Sequence, residues 1–185
     1  MAKIEVIQPE NAEGFLKEVY DELLEKRGKV ADIHKIQSLN PQSIVNHMDL
    51  YLTIMFGQSP LSRPRREMIG VIVSKANNCE YCQIHHSEAL LHYWKNEEKV
   101  KQLREDYHKV DISQTDLLLG HLAWHVTKHP GEPQNDYYID QLALHGLSDR
   151  AILDATLVIS YFNFVNRMVL TLGVELEAEP GGYIY

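Results

Sequence analysis

The chain has 185 residues, 44% apolar and 24% charged, enough to bury a core as a single domain spanning residues 1–185 and too apolar to stay disordered. Eighteen Lys and Arg against 26 Asp and Glu give a net charge of −8, and no window forms a basic stripe able to neutralise a run of phosphates, so nucleic acid is not an expected partner. The apolar runs at residues 68–73 and 157–159 fall short of the ~20 residues of a membrane span, and charge at Lys3 and Glu5 sits where a signal peptide carries its apolar core. The expectation is a soluble cytoplasmic protein that keeps its thiols reduced.

Helix signals follow in chain order. Asn40-Pro41 reads as an N-cap with proline at the first helical position, and Ile44, Val45, Met48, Leu52 and Met55 are spaced for one apolar face. Ser62, with Pro64 in the first turn, opens a second helix through Met68, Val71 and Ile72 to Asn77-Asn78. A third helix is expected from that asparagine pair, carrying Cys79 to about Tyr93. Between Pro64 and Pro130 there is no proline, and glycine occurs only at Gly70 and Gly120, so little in that stretch breaks a helix. Ser113-x-x-Asp116 resembles a capping box for a helix through Trp124 that Pro130-Gly131 ends. Gly146 and Ser148 repeat the stop and start signals before a long last helix to Leu172. The β-branched clusters at 71–73 and 157–159 lack flanking turn residues, and Asn-Gly and Asp-Gly pairs are absent from the sequence, so the predicted fold class is all-α.

A shift of 86 residues superposes Leu61-Ser62 on Leu147-Ser148, the 71–74 run on 157–160, and Asn77 on Asn163. This points to a duplicated helical hairpin, with one copy at about 61–95 and a degenerate copy at about 147–175. In that register Cys79, Cys82 and His86 face Val165, Met168 and Leu172, so only the first copy keeps reactive groups.

Those groups are the chemically distinctive feature of the chain. With Cys79 at zero on a helical wheel, Cys82 falls at about 300°, His86 at about 340° and His85 at about 240°. His86 therefore projects between the cysteines and His85 to the side. If the chain reverses at Asn77-Asn78, Glu67 comes opposite the turn that bears His86. A CxxC at a helix N-terminus lies in the positive end of the dipole, which favours thiolate. A histidine in reach can move the thiol proton, and a buried carboxylate can orient the imidazole. Cysteines at i and i+3 close a small, reducible ring suited to turnover.

Glu-x11-Cys-x2-Cys-x3-His, with tyrosine before the second cysteine and Asn-Asn before the first, resembles the alkyl hydroperoxidase D-like branch of the carboxymuconolactone decarboxylase superfamily, in particular its peroxidase-related subgroup. The similarity extends to an N-terminal helix at residues 14–20, to Ser38-Leu-Asn-Pro41, and to the stretches at 145–149 and 163–167. The resemblance implies an alkyl hydroperoxidase D-like helical fold and a thiol-dependent peroxidase with no cofactor or metal. In such an enzyme Cys82 attacks peroxide and passes through a sulfenic acid, Cys79 resolves it as a disulfide, and Glu67 and His86 relay the proton. It further implies a dithiol reductant such as a lipoyl group, and a homo-oligomer, trimeric or hexameric. The family's archetype has a histidine where this chain has Tyr81.

Other readings of the same residues are a lactone decarboxylase-like enzyme, which would have no use for paired thiols, and a non-enzymatic redox sensor. A zinc site built from Cys79, Cys82, His85 and His86 is disfavoured, because all four lie on one helix without a distant second ligand pair. His121, His125 and His129 recur at i, i+4 and i+8, a pattern open to metal or proton transfer but better read as packed or solvated histidines near a helix C-terminus. Trp94 and Trp124 read as core or interface. The acidic, aromatic tail from Glu175 to Tyr185 reads as a frayed end or as an arm on a neighbouring copy.

Overall fold

Proline and serine start helices where their backbone preferences predict. In the computed structural model, which describes residues 2–177, the chain forms α1 (Gly14–Arg27), α2 (Asp32–Lys35), α3 (Pro41–Phe56), α4 (Arg63–Ala76), α5 (Glu80–Trp94), α6 (Glu97–Glu105), α7 (Gln114–Lys128), α8 (Gln134–Leu144) and α9 (Asp149–Leu172), with no strand among the described residues. Asn40, Ser62, Ser113 and Ser148 stand at the N-caps of α3, α4, α7 and α9. The Ser113 and Ser148 hydroxyls accept from the backbone N–H three residues on, satisfying donors that the helix leaves open. The helices α2, α6 and α8 are additional to those the spacing predicts; α6 is announced only by Asn96, whose side chain caps Lys99 N–H. Leu52, predicted on the buried face of α3, is instead 41% exposed.

The centre of the fold is α4, which packs on α3, α5, α6, α7 and α9. Every residue from Arg66 to Ser74 is buried, the signature of a helix enclosed on all sides. Arg66 enters this interior by donating to the carbonyls of Ile54, Met55, Gly57 and Leu61 at 2.9–3.1 Å. It thereby satisfies acceptors that the end of α3 leaves open.

The second repeat copy is one unbroken helix rather than a hairpin. In the first copy the chain turns at Asn78, which has φ +56°; the position 86 residues later is Phe164, inside α9. A phenylalanine there would meet the steric cost of left-handed backbone, whereas asparagine tolerates it. The correspondence survives as contact: Asn77 donates to its counterpart Asn163 at 3.0 Å and to Asn166 at 3.0 Å, and Asn166 donates to Ser74 at 3.2 Å.

Contrary to the reading from apolar runs, α9 is by length and composition long enough and apolar enough to cross a membrane. Its buried face, however, packs on α3, α4, α7 and α8 and carries the hydrogen-bonded Asn166 and Asp154, as expected of a core helix. The opposite face leaves Leu153, Leu157 and Phe164 exposed, and Leu170 is exposed on the flank.

Gly70 lets α4 and α9 approach. A Cβ at that position would lie 2.7 Å from two atoms of the fully buried Phe162 ring, which cannot retreat in a filled core. Gly70→Ala is therefore expected to destabilise the fold by about 1–3 kcal/mol. A lower midpoint of urea unfolding at unchanged slope would show it, and an unchanged midpoint would contradict it.

Candidate active site

The turn between α4 and α5 sets the position of both thiols. Asn78 takes the left-handed conformation, its N–H donates to Lys75 O at 3.0 Å, and Cys79 N–H donates to Ser74 O at 2.8 Å. This is a glycine-type helix stop made with asparagine. Cys79 thus ends one helix and serves as the N-cap of the next, one residue outside the helix predicted to carry it. Cys82 follows in the first turn of α5. Both cysteines are free and buried. The Cys82 thiol, hydrogen-bonded to Cys79, lowers the Cys79 pKa against the opposing effect of burial. The same hydrogen bond, followed by burial, raises that of Cys82 well above the usual thiol range. Of the two thiols, Cys79 is the readier to ionise and Cys82 holds its proton the more tightly.

Glu67 and His86, nineteen residues apart, meet as the hairpin predicts: His86 Nδ1 lies 2.6 Å from Glu67 Oε2. Glu67 is wholly buried. Burial alone would raise its pKa, but His86 and Arg63 outweigh burial and hold it below the usual carboxylate range. Arg63, which the sequence reading missed, donates from Nε to Glu67 Oε1 at 2.7 Å and stacks on Phe56 with its guanidinium carbon 3.5 Å from the ring centroid. An ionised carboxylate facing Nδ1 selects the tautomer with Nδ1–H and leaves Nε2 as the basic nitrogen. His86 sits one turn from Cys82 on α5, and its ring meets Phe162 edge-on at 4.4 Å.

Cys82, His85 and His86 line a cavity of about 70 Å³ together with residues of α1, α3, α9 and the α2 region; Cys79 is not part of that lining. Among the lining residues are His34, His47 and Tyr161, none of which the motif announced. Burial, joined by His47 and Arg27, lowers the pKa of His34 to about 3, and burial lowers that of His47 to about 4. Both rings are neutral near pH 7. His85, to the side of the wheel as predicted, places Nε2 2.8 Å from Glu177 Oε2, and Glu177 Oε1 accepts from Tyr81 Oη at 2.8 Å and Asp32 N–H at 3.0 Å.

Of the three spaced histidines of α7, His121 Nδ1 is 3.1 Å from Tyr107 Oη and His125 Nδ1 is 2.9 Å from Asn135, while Glu132 lies 3.7 Å from His125 Nε2 and 3.2 Å from His129 Nδ1. Trp94 and Trp124 pack at the margin of the core. Of the predicted tail arm, residues 178–185 lie outside the described residues.

Glu177 is a testable anchor. Burial opposes its ionisation, but the hydrogen bonds from His85 and the Asp32 backbone prevail and lower its pKa to about 2 from an ordinary 4.5. A depressed carboxylate pKa stabilises the folded state fully above the unfolded value, and that stabilisation is lost as pH falls through the folded one. The Glu177 side-chain carboxyl carbon shift, identified by its loss in Glu177→Gln, is expected to hold steady from neutral pH down to about 4.5 and to titrate near 2. A midpoint at 4.5 would show that the carboxylate is not anchored.

Residues 45–106, which include the whole thiol and carboxylate cluster, match the sequence profile of the Carboxymuconolactone decarboxylase family. No functionally curated protein matches the chain in sequence. Among solved structures, a peroxidase-related protein from Silicibacter sp. TM1040 is 26% identical with TM-score 0.82, covering 97% of this chain and 91% of its own. A peroxidase-related protein from Ralstonia eutropha JMP134, described as an alkylhydroperoxidase AhpD core, is 25% identical with TM-score 0.85, covering 96% and 93%. The debrominase Bmp8 shares the fold at 22% identity and TM-score 0.77, covering 95% and 92%. The profile match over the dithiol hairpin and the whole-chain likeness to AhpD-type structures support a place in the carboxymuconolactone decarboxylase and alkyl hydroperoxidase D-like superfamily.

Proposed function

We propose that the protein is a thiol-dependent peroxidase that reduces hydroperoxides through a Cys79–Cys82 disulfide cycle. The observation that carries this reading is a CxxC whose second cysteine opens onto a cavity beside a histidine held 2.6 Å from a buried carboxylate. His86 Nε2 takes the Cys82 proton, and the Cys82 thiolate attacks the terminal oxygen of R–O–O–H. The S–O bond forms, the O–O bond breaks with its electron pair on RO⁻, and the proton held by His86 converts RO⁻ to ROH. Cys79 then attacks the Cys82 sulfenic acid; the S–S bond forms, and the departing hydroxide leaves as water with the Cys79 proton. An external dithiol, for which a lipoyl group is the model, returns the two electrons. Cys82 is assigned the attack because it faces the cavity, and the readier ionisation of Cys79 suits the resolving step.

Paired thiols have no place in lactone decarboxylation, which disfavours that alternative. Two free, buried thiols suit a reducing compartment, the cytoplasm. The exposed Leu153, Leu157 and Phe164, which line one stripe of α9, support assembly into a homo-oligomer, since such a stripe is costly in water. Light scattering should give a multiple of 21.4 kDa, and a mass that stays at one chain as concentration rises would rule assembly out.

The chemistry is tested with hydrogen peroxide, organic hydroperoxides and dihydrolipoamide. Cys82→Ser should abolish turnover and sulfenate trapping, whereas Cys79→Ser should accumulate a trappable sulfenate on Cys82. Glu67→Gln should slow Cys82 oxidation by about 100-fold. A sulfenate found only on Cys79 would invert the two roles, and a protein that consumes no peroxide yet changes assembly on oxidation would be a redox sensor.

A further inference from the structure

The cavity wall facing Cys82 holds a hydrogen-bond donor whose direction is set by a chain of three side chains. Gln37 Nε2 donates to Ile33 O at 2.8 Å, which fixes the amide orientation, and the same nitrogen lies 2.8 Å from His47 Nδ1. An amide nitrogen can only donate. His47 Nδ1 is therefore the acceptor, and its proton sits on Nε2. That nitrogen is 2.7 Å from Tyr161 Oη, so the phenolic oxygen accepts from His47. Its own proton then has no acceptor among the described residues. Tyr161 is buried and lines the cavity with Cys82. On the same lining His34 has a buried Nδ1 without a hydrogen-bond partner. Two unmet polar atoms in an apolar wall are costly unless a ligand meets them.

Resting on the peroxidase reading, we infer that Tyr161 binds substrate by donating its O–H to the leaving oxygen of a small, uncharged organic hydroperoxide held against Cys82, with His47 and Gln37 as positioning residues. The rest of the wall fits such a molecule. Ala31, Ile33, Met48, Phe162 and Val165 offer apolar contact. The neutral state that burial imposes on His34 and His47 gives no counter-charge, and Arg27 at the margin lies 5.7 Å and 5.8 Å from the ring centroids of Tyr51 and Phe56. The hydroperoxide oxygens accept from Tyr161 as well as reacting with the thiolate. When the O–O bond breaks, charge develops on the oxygen that Tyr161 faces, and a preset donor there is worth more than it is in the ground state. The alkoxide proton is still the one His86 removed from Cys82, so Tyr161 ends the step as it began, a neutral phenol.

The test separates the donor from the chemistry. Tert-butyl alcohol, the product expected from tert-butyl hydroperoxide, is titrated by NMR into the reduced parent and into Tyr161→Phe, which keeps the ring and loses only the hydroxyl. The variant should bind about fivefold to tenfold more weakly, the worth of one hydrogen bond. Nitrogen-15 shifts of His47 in the parent should be pyridine-type at Nδ1 and pyrrole-type at Nε2, and the Nε2 shift should move in Tyr161→Phe, where the acceptor of its proton is lost. Equal affinity in the two proteins, no saturable binding to the parent, or the opposite tautomer would overturn the inference. Oxidation of Cys82 by tert-butyl hydroperoxide is followed in parallel and should be about tenfold slower in Tyr161→Phe. If the parent is not oxidised at all while alcohol affinity still falls in the variant, the peroxidase reading fails and the Tyr161 donor site stands.

Discussion

A carboxylate buried in the centre of the fold sets the terms for everything around it. Glu67 has no contact with solvent, and a charge in that position is tolerated only with partners that supply both opposite charge and hydrogen bonds. Arg63 and His86 approach separate oxygens, so the first turn of α4, the body of α5 and the loop that follows α3 must all hold register. Arg66 secures that loop by binding four carbonyls. The site is thus built into the core itself, and removing Arg63 or His86 would leave one oxygen of the buried Glu67 without its partner.

The two thiols are unequal for reasons of position. Cys79 occupies a helix N-cap and receives the hydrogen bond of its neighbour, while Cys82 keeps its proton and faces the cavity. Lower pKa and substrate access therefore reside on different sulfurs. On the proposed reading such a dithiol needs a base acting on the cavity-facing member, a task that would fall to His86, whose Nδ1 is already taken by Glu67.

Much of this was legible in the sequence because it depends on local spacing. Asn77-Asn78 announced the reversal, the i and i+4 relation of Cys82 and His86 announced a shared face, and the distances along two antiparallel helices announced Glu67. What stayed hidden depends on contacts between distant segments. Nothing local marks His47 and Tyr161, which are 114 residues apart and 2.7 Å from contact to contact atom, or Glu177. The register of the repeat pointed to a real pairing, Asn77 with Asn163, but implied a turn in the second copy where the start and stop signals had already indicated one long helix. Identity of residues along α4 carries no information on whether the following turn is kept, and that was decided by a phenylalanine where asparagine had made the turn. Leu52 and α9 mark the same limit: periodicity identifies an apolar face without stating what covers it.

The carboxylate of Glu177 joins the site to the chain over unusually long intervals, with partners 145, 96 and 92 residues away in sequence. Closing such loops costs chain entropy before any contact is returned, and contacts of this separation form late relative to the local pairing of α4 with α5. The helical hairpin that bears the thiols can therefore be complete while the wall beside Tyr81 and His85 is still open. On that ordering the thiols precede part of their enclosure, and chance oxidation or capture by another chain would fall in the interval between the two.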